Sequence, residues 1–120
     1  MHITIDALQS YLADRYGGWG IDQSMFMKLV EEIGEVAEVL NKKAGRKAND
    51  EEDLKEHLGI ELADMIHYIL AIAALNDIDM ERIILEKDRV ASIKYHHEIN
   101  LEQFLERYKG ETKWNLLQPL

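Results

Sequence analysis

Leu58-Gly-Ile-Glu-Leu-Ala-Asp-Met-Ile-His-Tyr-Ile-Leu-Ala-Ile-Ala-Ala-Leu75 decides the fold. The run is too long for an ordinary strand, and its apolar residues cover nearly every side of a helix. Glu61 and Asp64 are its only formally charged residues. A helix apolar all round is buried, in a bundle centre or in an interface between subunits. It is not a membrane span, because two acids near its start would be costly in lipid.

Shorter helices surround it. Residues 4 to 16 read as the first, with Ile5, Leu8, Leu12 and Arg15 on one face and Thr4 as N-cap. Gly17-Gly-Trp-Gly20 ends it. No strand precedes these glycines and no Gly-Lys-Ser/Thr follows. They read as a turn between helices rather than a phosphate loop. The second helix spans about residues 23 to 43, with Asp22 as cap and an apolar arc centred near Ile33 and Leu40. A polar, basic loop around Gly45 follows, and its cations read as solvated. The third helix starts after Asn49 or Asp50 and ends near Leu75. Asn76-Asp-Ile-Asp79 turns into a fourth helix, Met80 to about Tyr95, with Ile83, Ile84, Val90 and Ile93 as core candidates. Asn100-Leu-Glu-Gln103 resembles a capping box that opens a short helix to about Tyr108. The tail carries Trp114, Leu116 and Leu117. The expected architecture is all-α, a single domain over residues 1–120. Four main helices and a short C-terminal helix form a bundle completed by oligomerisation.

Composition narrows the function. The chain has 120 residues, 14 Lys+Arg and 23 Asp+Glu, for a net charge of −9. A nucleic-acid binder working by phosphate neutralisation needs a basic face, so that class is excluded. A polyanionic substrate would need a cation to bridge the repulsion. With no cysteine, disulfides, thiol catalysis and cysteine zinc sites are excluded. The opening residues show no signal peptide, and the expected location is the cytoplasm.

The acids stand out against this background. On a helical wheel, Glu32 and Glu35 border the apolar arc of the second helix, with Lys28 next to Glu35. Glu31 and Glu38 fall away from the arc, and Glu38 is expected in solvent. Glu61 and Asp64, three apart, share a face of the third helix with His57 and Tyr68 on the same side. Buried acids are costly unless paired or protonated, and Lys28 alone does not balance four. Either the acids reach solvent or basic partners, or they hold a hard divalent cation. Oxygen donors at i and i+3 from two facing helices suit magnesium or manganese.

Glu31-Glu32-Ile33-Gly34-Glu35, followed after 25 residues by Glu61-Leu-Ala-Asp64, resembles the EExxE…ExxD signature of MazG-like nucleotide pyrophosphohydrolases. These belong to the all-α nucleoside triphosphate pyrophosphatase superfamily. The resemblance covers about residues 20–95, with the C-terminal helix and tail beyond it. It implies Glu32, Glu35, Glu61 and Asp64 as ligands of Mg2+, with Mn2+ able to substitute. It assigns Glu31 to the motif's first acid, a candidate for orienting or deprotonating the attacking water. It implies hydrolysis of nucleoside triphosphates to monophosphate and pyrophosphate, a role in nucleotide-pool cleaning, and a homodimer or dimer of dimers. Lys87 matches the family's downstream lysine, and Lys94-Tyr95 its basic–aromatic pair. Ala91 stands where the family has Asn, which leaves substrate choice open. Lys28, Lys87 and Lys94 are the candidate phosphate contacts. Trp19, Tyr68 and Tyr95 are the candidates for stacking on the base.

Two rivals remain at this stage. One is a di-iron or di-manganese carboxylate oxidase, suggested by Asp64-Met-Ile-His67. Such a site wants two carboxylate-x-x-His elements and the chain has one. His67 is instead expected to be packed or partly exposed. The other rival is a non-enzymatic helical interaction module.

Overall fold

Thr4 opens the first helix as expected: its Oγ1 accepts from the Ala7 amide at 3.0 Å, and α1 runs Ile5–Tyr16. The computed structural model describes residues 1–45 and 53–108. Among them are five α-helices and no strand: α1, α2 (Asp22–Lys43), α3 (Leu54–Leu75), α4 (Met80–Lys94) and α5 (Leu101–Arg107). The expected start of the third helix at residue 49 or 50, most of the basic loop and the apolar tail lie outside the described residues. The chain divides into two compact units, residues 1–80 and 81–120.

One helix start differs from the sequence expectation. Asp22 is the first residue of α2 rather than its cap, and Ile21 occupies the cap position without a side-chain bond. Asp22 Oδ1 accepts from the Gln23 amide at 2.8 Å and Oδ2 from Asn76 Nδ2 at 3.2 Å. The carboxylate therefore ties the start of α2 to the end of α3. For α3, the cap is Asp53, which accepts from the Glu56 amide at 3.0 Å.

In the first unit, α3 packs against both α1 and α2. Leu12, Tyr16, Met25, Leu70 and Ala71 form the buried centre, with Leu8, Tyr68, Ile72, Leu75 and Met80 against it. Full burial of Leu12 alone contributes roughly 2 kcal/mol. Gly20 allows the tight return from α1 to α2. A Cβ there would lie 2.8 Å from Tyr16 Cβ and 2.9 Å from the Tyr16 carbonyl. Gln9 fastens α1 to the turn that follows α3. Its amide nitrogen donates to the Ile78 carbonyl, and its oxygen accepts from the Met80 amide at 3.3 Å.

The expected centre of the α2 core face is corrected. Along the middle of α2, Met25, Leu29, Glu32, Val36 and Val39 are buried or half-buried, whereas Ile33 and Leu40 are 48% and 45% exposed. The apolar arc of α2 is wider than one neighbour covers. α3 takes the side that carries Glu32 and leaves the Ile33 side open. α3 likewise keeps Ile60, Leu62, Ile66 and Ile69 exposed. By length and composition α3 is apolar enough to cross a membrane. Glu61 and Asp64, together with its packing on α1 and α2, make it the central helix of this unit.

In the second unit, Asn100 and Gln103 form the expected capping box at α5. Asp88 Oδ2 accepts from the Leu101 amide, and Arg89 pairs with Glu102 at 3.1 Å. Ser92 is buried while Ile83, Ile84, Val90 and Ile93 are exposed, which corrects their expected core role. Asp88 and Arg89 thus engage α5 from the polar edge of α4, and the Ser92 hydroxyl donates to Asp88 at 3.4 Å. His96 (φ 56) closes α4 in the left-handed region, and the His97 amide returns to the Ser92 carbonyl at 3.0 Å. The histidine pair thus sits at a helix end, as expected.

Candidate metal centre

The packing of α2 on α3 brings together acids that are far apart in sequence. Glu32, Glu61 and Asp64 each place a carboxylate oxygen within 4.8 Å of the others, and all three are half-buried. Glu35, Glu61 and His57 form a second such group, with Glu35 exposed at its edge. Glu61 belongs to both groups and its side chain is 14% exposed. His57 Nε2 lies 3.2 Å from Glu61 Oε1, one helical turn away.

The charges do not balance. Lys28 Nζ pairs with Glu31 at 3.5 Å, and both side chains are more than half exposed. Glu31 therefore stands outside both groups, and Lys28 is engaged with it. Glu38 is exposed, as expected. Glu32 Oε2 is sealed from solvent and accepts no hydrogen bond. The Glu32 carboxyl is pushed up from 4.5 to about 7. Hydrogen bonding to the Glu61 carboxyl is the largest cause, followed by burial and by the charges of Glu61, Asp64 and Glu35. Two ionised carboxylates have no hydrogen to share. The juxtaposition is stable only if a proton or a cation lies between them.

Tyr68 lies within electrical reach of this cluster. Burial pushes its phenol up, the charges of Tyr16, Glu32 and Asp64 add to that, and Lys28 acts the other way. His67 packs as expected. Tyr16 Oη and His67 Nε2 are 2.7 Å apart, and Tyr16 and Tyr68 meet the imidazole edge-on at 5.6 and 5.1 Å. The Asp64–His67 pair thus does not converge as an oxidase element, because the imidazole is turned to Tyr16. Trp19 is largely exposed and meets the Tyr16 ring edge-on at 5.2 Å. Lys87, Lys94 and Tyr95 lie on α4 and just after it, in the second unit, where Lys94 Nζ sits 5.3 Å from the centre of the Tyr95 ring.

The donor set suits a divalent cation. It offers carboxylate oxygens from two helices and a buried oxygen without a partner. The neighbouring lysine, Lys28, is drawn off to Glu31. The MazG nucleotide pyrophosphohydrolase domain matches residues 22–89. The chain belongs to this family. The MazG match takes in Glu31, Glu32, Glu35, Glu61, Asp64 and Lys87 and ends before Lys94 and Tyr95. Among solved structures, iMazG from Vibrio DAT 722 is similar, with a TM-score of 0.57 and 24% identity over 78% of this chain and 98% of that one. At that identity the likeness is one of fold. No curated protein matches the chain.

Within the MazG framework, one donor went unassigned from sequence. His57 is four residues before Glu61, a spacing that placed it on the right side of α3. Its approach to Glu35 depends on the register between α2 and α3, which no local pattern reveals.

Proposed function

We propose that this protein hydrolyses nucleoside triphosphates to nucleoside monophosphate and pyrophosphate with Mg2+, and that Mn2+ can replace it. The observation that carries the reading is the convergence of Glu32, Glu61 and Asp64 around a buried, unpartnered carboxylate oxygen, in a chain of the MazG family.

Glu32, Glu61 and Asp64 would hold the cation, with Glu35 at the exposed edge. The bound metal supplies charge to neutralise the triphosphate and lowers the pKa of a coordinated water. The chain's own part is positioning. Glu32 must give up its proton to act as a ligand, and the pull of Glu61 towards keeping that proton sets the pH at which the site loads. Glu31, at the rim beside Lys28, is the candidate to orient the attacking water. Tyr68 offers an aromatic face next to the carboxylates, and Trp19 a second one for the base. Lys28 is the candidate phosphate contact beside the acids, and Lys87, Lys94 and Tyr95 are carried as candidate substrate residues on the family pattern alone. Water attacking the α-phosphorus forms the new P–O bond, the α–β anhydride breaks, and pyrophosphate leaves.

The exposed apolar sides of α2 and α3 are the surfaces on which a second copy would complete the bundle. A homodimer or dimer of dimers is the assembly proposed. In the cell the reaction would clear or limit particular nucleotides. A panel of ribo- and deoxyribonucleoside triphosphates with Mg2+, scored for pyrophosphate and monophosphate, tests the activity. Accumulating diphosphate and orthophosphate would refute it.

A further inference from the structure

We propose that the hydrogen bond between Tyr16 and His67 sets the position of Tyr68 as a wall of the nucleotide's base site, which makes Tyr16 and His67 positioning residues for substrate binding. The proposal rests on the nucleotide-hydrolysing reading of the protein and adds to it two residues outside the family motif.

Trp19, Tyr16, His67 and Tyr68 form a row of rings, each meeting the next edge-on, with centroids 5.2, 5.6 and 5.1 Å apart. The two outer rings are the ones proposed for the base. Trp19 is exposed in the turn after α1. Tyr68 follows Asp64 by four residues, one turn further along the same side of α3. The two inner rings tie the row together. Tyr16 is buried, and its Oη lies 2.7 Å from His67 Nε2. Whichever tautomer His67 holds, one partner has a proton to give.

Packing alone needs no polar pair at this place. Two apolar side chains would fill it without the cost of desolvating a phenol and an imidazole. What the hydrogen bond adds is direction, because a satisfied buried pair fixes how its members are turned. Tyr16 comes from α1 and His67 from α3, and the bond holds their rings at 87°. His67 in turn meets the Tyr68 ring at 74°, which restricts the rotation of Tyr68. A ring already oriented loses less freedom when a base stacks on it. The imidazole is turned to Tyr16 rather than to the acids. Loss of the bond therefore loosens the grip on the nucleoside and leaves the metal and the chemical step alone. An interaction made equally in ground and transition states shows in KM and not in kcat.

Tyr16→Phe deletes the hydroxyl and keeps the ring, and His67→Phe removes the imidazole nitrogens and keeps a ring. Each full-chain variant is assayed with Mg2+ and the nucleoside triphosphate that wild type turns over fastest in the panel, with thermal melts to verify the fold. Each is expected to raise KM about threefold to tenfold, with kcat and the half-saturating Mg2+ concentration within about twofold of wild type. Tyr16→Phe alone decides if His67→Phe does not fold. The double variant should be no worse than either single one, because both break the same bond. In a Tyr68→Ala background, Tyr16→Phe should add nothing further. A lower melting temperature with unchanged KM would make the pair plain core packing and overturn the proposal. So would a KM effect that persists undiminished without the Tyr68 ring, or a loss of kcat with a raised Mg2+ requirement. In each of these cases wild-type turnover leaves the proposed reaction standing. Wild-type protein that turns over no triphosphate refutes that reaction, and this proposal falls with it.

Discussion

Replacing Glu61 with Gln in metal-free protein should reverse the sign of a carboxylate's usual effect. Glu32 titrates near 4.5 when unperturbed and near 7 in the folded protein, chiefly because of the Glu61 carboxyl. Between these values the unfolded chain has lost the proton and the folded chain keeps it. Stability is therefore greatest below 4.5, falls as pH rises through that window, and the loss is complete above 7. At about 1.4 kcal/mol per pH unit the full conversion is about 3.4 kcal/mol. The cluster is open on its Glu35 side, and solvent screening reduces this to about 1–2 kcal/mol. The Glu61→Gln substitution removes the competing carboxyl and offers an N–H to the ionised Glu32. In EDTA the variant should therefore gain on wild type between about pH 4.5 and pH 8.5, by about 4–8 °C in melting temperature. Any cost of altering the His57 contact shifts the whole comparison but not this trend. Added Mg2+ should raise the melting temperature of wild type more than that of the variant, since it binds the folded wild type preferentially. Thermal melts at both pH values, with EDTA and with Mg2+, read all of this. A variant that loses ground to wild type as pH rises, with an undiminished Mg2+ shift, would refute the reasoning and make Glu61 a structural partner of His57.

Three further outcomes follow from the same structure. Glu32→Gln, Glu35→Gln and Asp64→Asn should each lower turnover by orders of magnitude with the fold intact by circular dichroism, while exposed Glu38→Gln stays near wild type. Equal damage from Glu38→Gln would displace the site along α2. Gly20→Ala should destabilise by roughly 1–3 kcal/mol in chemical denaturation, because its Cβ meets Tyr16. Gly18→Ala, which meets nothing within 4 Å, should cost far less, and similar values for the two would contradict the tight turn. Ile33→Glu with Ile66→Glu, on positions 48% and 49% exposed, should convert an oligomer to monomer in sedimentation velocity, and a wild-type monomer would remove these faces from the assembly.

Local chemistry made much of the fold legible in advance. Thr4 and the Asn100–Gln103 box were readable because a cap is a bond between near neighbours in sequence. Asp22 was misplaced because its role depends on Asn76, fifty-four residues on. The core face of α2 was misjudged for a similar reason. Periodicity locates an apolar arc, but which part of a wide arc a neighbour covers depends on the packing of α3. Glu32, Glu61 and Asp64 were legible because acids beside an apolar face require a counter-charge. Glu31 shares the motif but lies outside both groups, paired with Lys28. His57 was seen on the correct side of α3, and only tertiary register joined it to Glu35.

The central claim is attack of water on the α-phosphorus at the Glu32–Glu61–Asp64 centre. Hydrolysis of a turned-over nucleoside triphosphate in 18O-labelled water, with the products resolved by mass spectrometry, tests it most directly. The account predicts one labelled oxygen in the nucleoside monophosphate and none in the pyrophosphate. Label in pyrophosphate with unlabelled monophosphate would place attack at the β-phosphorus, and label in orthophosphate would place it at the γ-phosphorus. Either result would contradict the mechanism.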